Sequence, residues 1–221
     1  MNTEENKYQT LYIVRHGQTL NNKLKQIHGR GYMPDCPLNE IGQKQAEEFY
    51  QQYQHIPISK VYTSSLLRSQ LSVHQFIQKY PHEISSDLDE VHFGKLEGTP
   101  IILNGKFQLK DVFAAWKNGQ IDERIEGGQS FREIVEQQQK IMKKITEEKG
   151  NILIAMHLRS IVILLSWMLN IPYEIMSNIK PNNLELFIVK FDREKKCFVD
   201  CENIRQRAEN EISPENVFFT N

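Results

Sequence analysis

Leu11-Tyr12-Ile13-Val14-Arg15-His16-Gly17-Gln18-Thr19 is the stretch that decides how this chain folds. Four apolar, mostly strand-favouring residues run into Arg15 and His16, and a glycine follows at once. A short apolar run closed by a turn residue reads as a buried strand. Arg15 and His16 then stand at its carboxyl end, where open parallel sheets place their ligand crevices. An arginine offers a planar fork of donors suited to phosphate, and the adjacent imidazole can act as a nucleophile near neutral pH. Gly17 lets the backbone turn and come close to an anion. A strand that merely happens to end in a charged residue and a histidine would look the same.

A second stretch of the same design separates these two readings. Asn151-Ile152-Leu153-Ile154-Ala155-Met156 is another apolar run that delivers His157 at its end, with a largely apolar segment over 160–169 behind it. Two strands each ending in a histidine, in a chain where strand and helix signals alternate, predict two imidazoles facing one crevice. Arg15-His16-Gly17 resembles the signature of the histidine phosphatase superfamily, its phosphoglycerate mutase-like branch, and supporting motifs extend the resemblance over about residues 10–190. The implied fold is α/β, a three-layer α/β/α sandwich with a mostly parallel central sheet.

Length and composition fit that expectation. A chain of 221 residues with 39% hydrophobic residues can build one α/β domain around a real core. We expect that single domain to span 1–221, with a helical insert at about 99–128 and a polar tail from about 203. A formal net charge of −1 provides no broad basic field for nucleic acid, so anion recognition must be local. Cys36, Cys197 and Cys201 show no zinc-like clustering and read as buried or idle thiols of a reducing compartment. The first seven residues lack the apolar core of a signal peptide. The most apolar region, 151–171, is interrupted by Asn151, His157, Arg159 and Ser160, and reads as strand plus buried helix rather than a membrane span. The expectation is a cytoplasmic protein without a membrane partner.

Along the chain, residues 1–9 are polar and read as loose, and 21–31 as a glycine-punctuated loop or short helix near the crevice. Asn39 is a good N-cap for a helix with Ala46, Phe49, Tyr50 and Tyr53 on its apolar face. A strand is predicted over 58–62. Ser64 or Ser65 then caps a helix with Leu67, Leu71, Phe76 and Ile77 inward. A weak third strand falls at 84–88. Within the insert, Val112, Phe113 and Trp116 predict a short helix stopped by Asn118-Gly119. Ser130 and Glu133 form a capping box opening a long helix ended by Gly150. A late strand over 184–191 turns at Lys195-Lys196 into a last one over 197–200.

The resemblance assigns roles. His16 matches the histidine that attacks phosphorus and becomes a phosphohistidine, and Arg15 a phosphate-binding arginine. Gly17 and Asn22 match residues lining the phosphate pocket. Arg68, in the serine-led segment Ser64-Ser65-Leu66-Leu67-Arg68, matches a second phosphate arginine near a helix start. His157 matches the histidine that donates a hydrogen bond to the transferring phosphoryl group. Glu90 matches the general acid, which an alkoxide leaving group requires. Spacing alone does not choose Glu90 over Asp87, Asp89 and Glu97, and His92 reads as a loop-packing or pocket-wall residue. No Walker loop, zinc motif or acidic metal cluster is visible, so neither a metal nor a cofactor is expected.

Four positions depart from the family pattern. Leu158 stands where glycine is usual, Gln129 replaces the acid of a Gly-Gly-Glu-Ser segment, and Gln137 and Gln26 occupy positions often held by arginine. These changes imply less positive charge and less ordering around the site. Leu158 is expected to point away from the pocket into the apolar helix. The resulting reading is a metal-independent phosphomonoester hydrolase acting on a small phosphorylated substrate. A cofactor-dependent phosphoglycerate mutase is the first alternative, disfavoured because 94–98 and 104–118 hold no arginine. A weakly active or inactive phospho-ligand binding module is the second. Sugar phosphates, nucleotides, phosphoamino acids and cobalamin precursors all occur as substrates of similar proteins, and the sequence leaves both the substrate and a homodimer open.

Overall fold

The computed structural model describes residues 7–32 and 34–203. Its helices are α1 (Leu20–Lys23), α2 (Glu40–Tyr53), α3 (Leu67–Ser72), α4 (His74–Ile77), α5 (Lys110–Lys117), α6 (Phe131–Glu147), α7 (Leu158–Met168) and α8 (Tyr173–Met176). Six strands form the main sheet in the order β3-β2-β6-β1-β7-β8. They are β1 (Tyr8–Arg15), β2 (Ile58–Thr63), β3 (His82–Ile84), β6 (Asn151–Met156), β7 (Leu186–Asp192) and β8 (Cys197–Cys201), and a separate hairpin pairs β4 (Ile102–Leu103) with β5 (Lys106–Phe107). β3, β2, β6 and β1 run parallel, and β7 and β8 join antiparallel, so the sheet is mostly parallel as expected.

Side chains alternate across the strands and feed a separate core on each face of the sheet. Leu11 and Ile13 of β1, with Ile152 and Ile154 of β6, belong to a cluster that includes α6 and α7. Tyr12 and Val14, with Leu153 and Ala155, join the opposite cluster with Phe49 and Phe76. Both faces of the central strands are therefore buried, which explains why they read as unbroken apolar runs. Ile161 to Leu165 of α7 have no exposed surface.

The β1–β6 register builds the site. Leu11 pairs with Ile152 and Arg15 with Met156, so both strands end level. The His16 N–H continues the ladder by one step to Met156 O at 3.0 Å. His16 and His157 consequently leave the sheet side by side.

Several local expectations need correction. β1 starts at Tyr8 because Gln9, although polar, is fully buried and donates to the carbonyls of Ile145 and Glu148 at 3.1 and 3.2 Å. Neither Ser64 nor Ser65 caps α3; its cap position is Leu66, and the Leu67 N–H instead meets the Asp35 carboxylate from upstream. Leu67 is exposed rather than inward. β3 occupies 82–84, and Ser86–Leu88 is a 3-10 turn. The Ser130–Glu133 capping box forms in both directions, at 3.3 and 2.9 Å. The tail expected from about 203 lies, from residue 204 on, outside the described residues.

Candidate active site

His16 sits just beyond β1 and is 2% exposed. Its Nδ1 lies 2.7 Å from the Gly17 carbonyl, which can only accept, so Nδ1 carries the proton and Nε2 presents a lone pair. Burial, reinforced by the positive charges of Arg68 and Arg15, holds its pKa well below 6.5. Asn183 fixes the same residue from the other side, donating to His16 O at 2.8 Å. Gly17 has no room for a side chain, since a Cβ would come within 2.9 Å of Gly42 O. Its N–H is committed to Ser72 Oγ at 2.7 Å.

His157 has no exposed surface, and its ring centroid is 5.1 Å from that of His16. Its Nε2 is 2.7 Å from Ser64 Oγ, and its buried Nδ1 has no protein partner. Its pKa is likewise driven well down by burial and then by Arg68. Arg15 donates from Nη1 to Pro181 O at 2.8 Å and leaves a buried Nε unpartnered; burial pulls its pKa down to about 10. Arg68 is fully buried, held by an ion pair to Asp35 and by the carbonyls of His28 and Gly29, and its Nε is also unpartnered. Arg15, Arg68 and His157 thus each keep a buried nitrogen without a partner, and the charges of both arginines are felt at His16. Buried donors without partners are uncommon.

A cavity of about 810 Å³ opens above this floor. Arg15, His16, Asn22 and Glu90 line it, while Gly17, Arg68 and His157 lie behind its wall. Glu90 Oε1 accepts hydrogen bonds from the N–H groups of Val91 and Ser160, both at 3.0 Å, while the Ser160 hydroxyl, 3.1 Å away, donates to Asp89 O at 2.5 Å. Among the described residues, Oε2 accepts only the Arg159 N–H, at 3.1 Å. The first turn of α7 therefore fixes the carboxylate at the cavity edge. The competing acids are engaged elsewhere. Asp89 is bound to Ser65, Glu97 accepts the N–H groups of Phe93 and Gly31, and Asp87 pairs with Lys140 at 3.8 Å. His92 packs over Gly31 and stays outside the cavity.

The departures behave differently from expectation. Leu158 lines the cavity instead of joining either core, because α7 begins at residue 158 and its first turn faces the crevice. Gln129 and Gln137 bond to each other at 3.0 Å away from the cavity, so the ordering expected to be lost there is retained. Gln26 does line it. Two further residues escaped sequence reasoning. His28 lies on the cavity wall, its ring 6.0 Å from that of His16, and burial with the charge of Arg68 lowers its pKa to about 3. Arg159 stacks at 4.1 Å over Phe113 and reaches Tyr173 Oη at 3.3 Å. Only the placement of 21–31 near the crevice hinted at His28; Arg159 followed the second histidine without any distinguishing pattern. Among the described residues, no group of three or more His, Cys, Asp or Glu is arranged to hold a metal ion, and no helix is long and apolar enough to cross a membrane.

Two parallel strands that end in neighbouring imidazoles, over buried arginines, define a class that comparison with known proteins identifies. The chain belongs to the histidine phosphatase superfamily (branch 1), whose family model matches residues 11–204. Among curated relatives it is 31% identical over 132 residues to the probable phosphoglycerate mutase GpmB of Cronobacter sakazakii, covering 57% of this chain and 58% of that one. It is 32% identical over 97 residues to the mouse fructose-2,6-bisphosphatase TIGAR, covering 41% of this chain and 35% of the relative. The match thus spans well under two thirds of either relative. A mycobacterial glucosyl-3-phosphoglycerate phosphatase shares the fold with a TM-score of 0.72 at 17% identity, over 88% of this chain and 97% of the other.

Proposed function

We propose that the chain is a metal-independent phosphomonoester hydrolase working through a phosphohistidine at His16. The observation that carries this reading is a neutral His16 imidazole under the charges of Arg68 and Arg15 and beside the His157 ring, with a buried, unpartnered nitrogen on each of these three residues. Such preorganised donors stabilise the charge that develops on phosphoryl oxygens in transfer.

In the first step the Nε2 lone pair forms a bond to phosphorus as the ester P–O bond breaks. The departing oxygen takes the released electron pair and a proton from the Glu90 carboxyl, with Oε2 as the proton-bearing atom because Oε1 already accepts two N–H groups. In the second step the Glu90 carboxylate removes a proton from water, the oxygen attacks phosphorus, and the N–P bond breaks to regenerate neutral His16. The role of His157 as donor to the phosphoryl group requires the tautomer with the proton on Nδ1, in which Nε2 accepts from the Ser64 hydroxyl 2.7 Å away. Asn22 borders the same floor, while Gly17 accepts the His16 proton-side hydrogen bond.

Incubation with a ³²P-labelled aryl phosphate followed by acid treatment tests the mechanism. The expected result is an acid-labile phosphoenzyme, lost together with turnover in His16→Ala, and hydrolysis that survives chelators. Turnover in that variant, or interconversion of 3-phosphoglycerate in place of hydrolysis, would overturn the reading.

A further inference from the structure

The wall of the cavity differs in character from its floor. Phe93, Ile101, Phe107, Leu109, Phe113 and Leu158 place apolar side chains on it. Phe107, Leu109 and Phe113 come from the insert that runs from the β4–β5 hairpin through α5, and Ile101 immediately precedes it. Leu158 and Phe107 belong to neither apolar core cluster, yet both line the cavity. Phe107 is 40% exposed and stands at the mouth, 6.0 Å between centroids from the Phe113 ring. Phe113 is backed on its other side by Trp116 at 5.4 Å and covered by the Arg159 guanidinium, which fixes its ring. A cavity of about 810 Å³ exceeds what a phosphoryl group needs, so the ester's alcohol must fill the remainder.

We propose that this site selects phosphate esters whose alcohol is apolar and bulky, an extended alkyl chain or a ring system, rather than a small polyol. The inference rests on the reading above for where the phosphoryl group sits. The phosphate occupies the floor, and the carbon skeleton passes Leu158 and lies along the insert toward Phe107. Leu158 is the specificity-determining residue, because its side chain stands directly after His157 where floor becomes wall. Lys110 and Lys117, exposed on α5, also line the cavity, as do Arg159, Asn178 and Lys180.

Calorimetric titration of the full chain with methyl-, butyl- and hexylphosphonate tests this without requiring turnover. Affinity should rise along the series by up to about fourfold per methylene, the equivalent of transferring that group from water. Phe107→Ser and Leu158→Gly should each flatten the increment. Equal affinities across the series, no binding of any of the three, or tighter binding of butane-1,4-bisphosphonate than of hexylphosphonate would overturn the proposal. Hydrolysis of alkyl phosphates measured in parallel separates the two readings. Rising affinity without hydrolysis rejects the phosphatase and keeps the apolar subsite; hydrolysis without rising affinity does the reverse.

Discussion

Gln129 donates from Nε2 to Oε1 of Gln137 at 3.0 Å, and its own Oε1 accepts the His92 N–H at 3.0 Å. One neutral side chain thereby ties the segment that follows Glu90 to α6. Two amides make a connection where an ion pair is anticipated, and without the desolvation cost of burying opposite charges.

The two ends of that link should differ in consequence. Gln129→Ala removes both bonds and is expected to cost about 1–2 kcal/mol, with a severalfold fall in kcat as the Glu90 segment loosens. Gln137→Ala breaks one bond, should cost about 1 kcal/mol or less, and should leave kcat near wild type. Urea unfolding beside steady-state kinetics distinguishes them. Equal kcat losses in both would show that the segment is not held through Gln129.

Asp35 is the carboxylate partner of Arg68, which is fully buried, and it also receives the Leu67 N–H. Removing one member of a buried pair leaves an uncompensated charge, at about 3–5 kcal/mol. Asp35→Ala should therefore destabilise the fold strongly and displace Arg68. Asp35→Asn keeps an acceptor for Leu67 and should lose less stability while still lowering kcat. An Asp35→Asn variant with unaltered kcat would show that Arg68 needs no carboxylate to hold its place.

Acid pH should destabilise the protein through His16 and His157. Each imidazole has a folded-state pKa well below 6.5, so the unfolded chain binds the extra proton as pH falls past that value. Stability from these groups is complete above about 6.5 and declines below it, by about 1.4 kcal/mol per pH unit for each ring that stays neutral. Urea midpoints at pH 7, 6 and 5 should show the decline, and His157→Asn should make it shallower. Because His16 stays neutral, its protonation should not set the acid limb of kcat.

Glu90→Gln retains the hydrogen-bond acceptor at Oε1 but cannot deliver the proton. Its effect should depend on the leaving group. Alkyl phosphate hydrolysis should fall by about 10²–10⁴-fold, the usual contribution of general acid catalysis. Nitrophenyl phosphate, whose leaving group needs little protonation, should lose much less in the phosphorylation step. Equal losses, read from the phosphorylation burst, would move the acid role to Asp87, Asp89 or Glu97.

Much of the fold was legible because the central strands are buried on both faces and announce themselves as apolar runs, each followed by its histidine. Their level register was not legible, since nothing local in 11–15 states that Arg15 faces Met156. Capping rules found Asn39 and Ser130, where donor and acceptor are three residues apart. They failed at α3 because the carboxylate comes from Asp35, 32 positions before Leu67 in sequence, and because Ser64 is engaged by His157 and Ser69. Which of the four nearby carboxylates lines the cavity likewise depends on partners distant in sequence, the Arg159 and Ser160 N–H groups that hold Glu90. Leu158 was misjudged for a different reason: the apolar residues after it suggested burial in the helix, whereas α7 begins at Leu158 and that side chain lines the crevice.

The histidines that end β1 and β6 and the insert that walls the cavity are separate stretches of chain, joined mainly through packing. Reaction and preference are therefore encoded largely in different stretches, with Leu158, next to His157, the exception. Variation within 99–128 should then shift selectivity while leaving the two histidine-bearing strand ends in place. A library confined to the insert should yield altered selectivity far more often than one spread over the sheet.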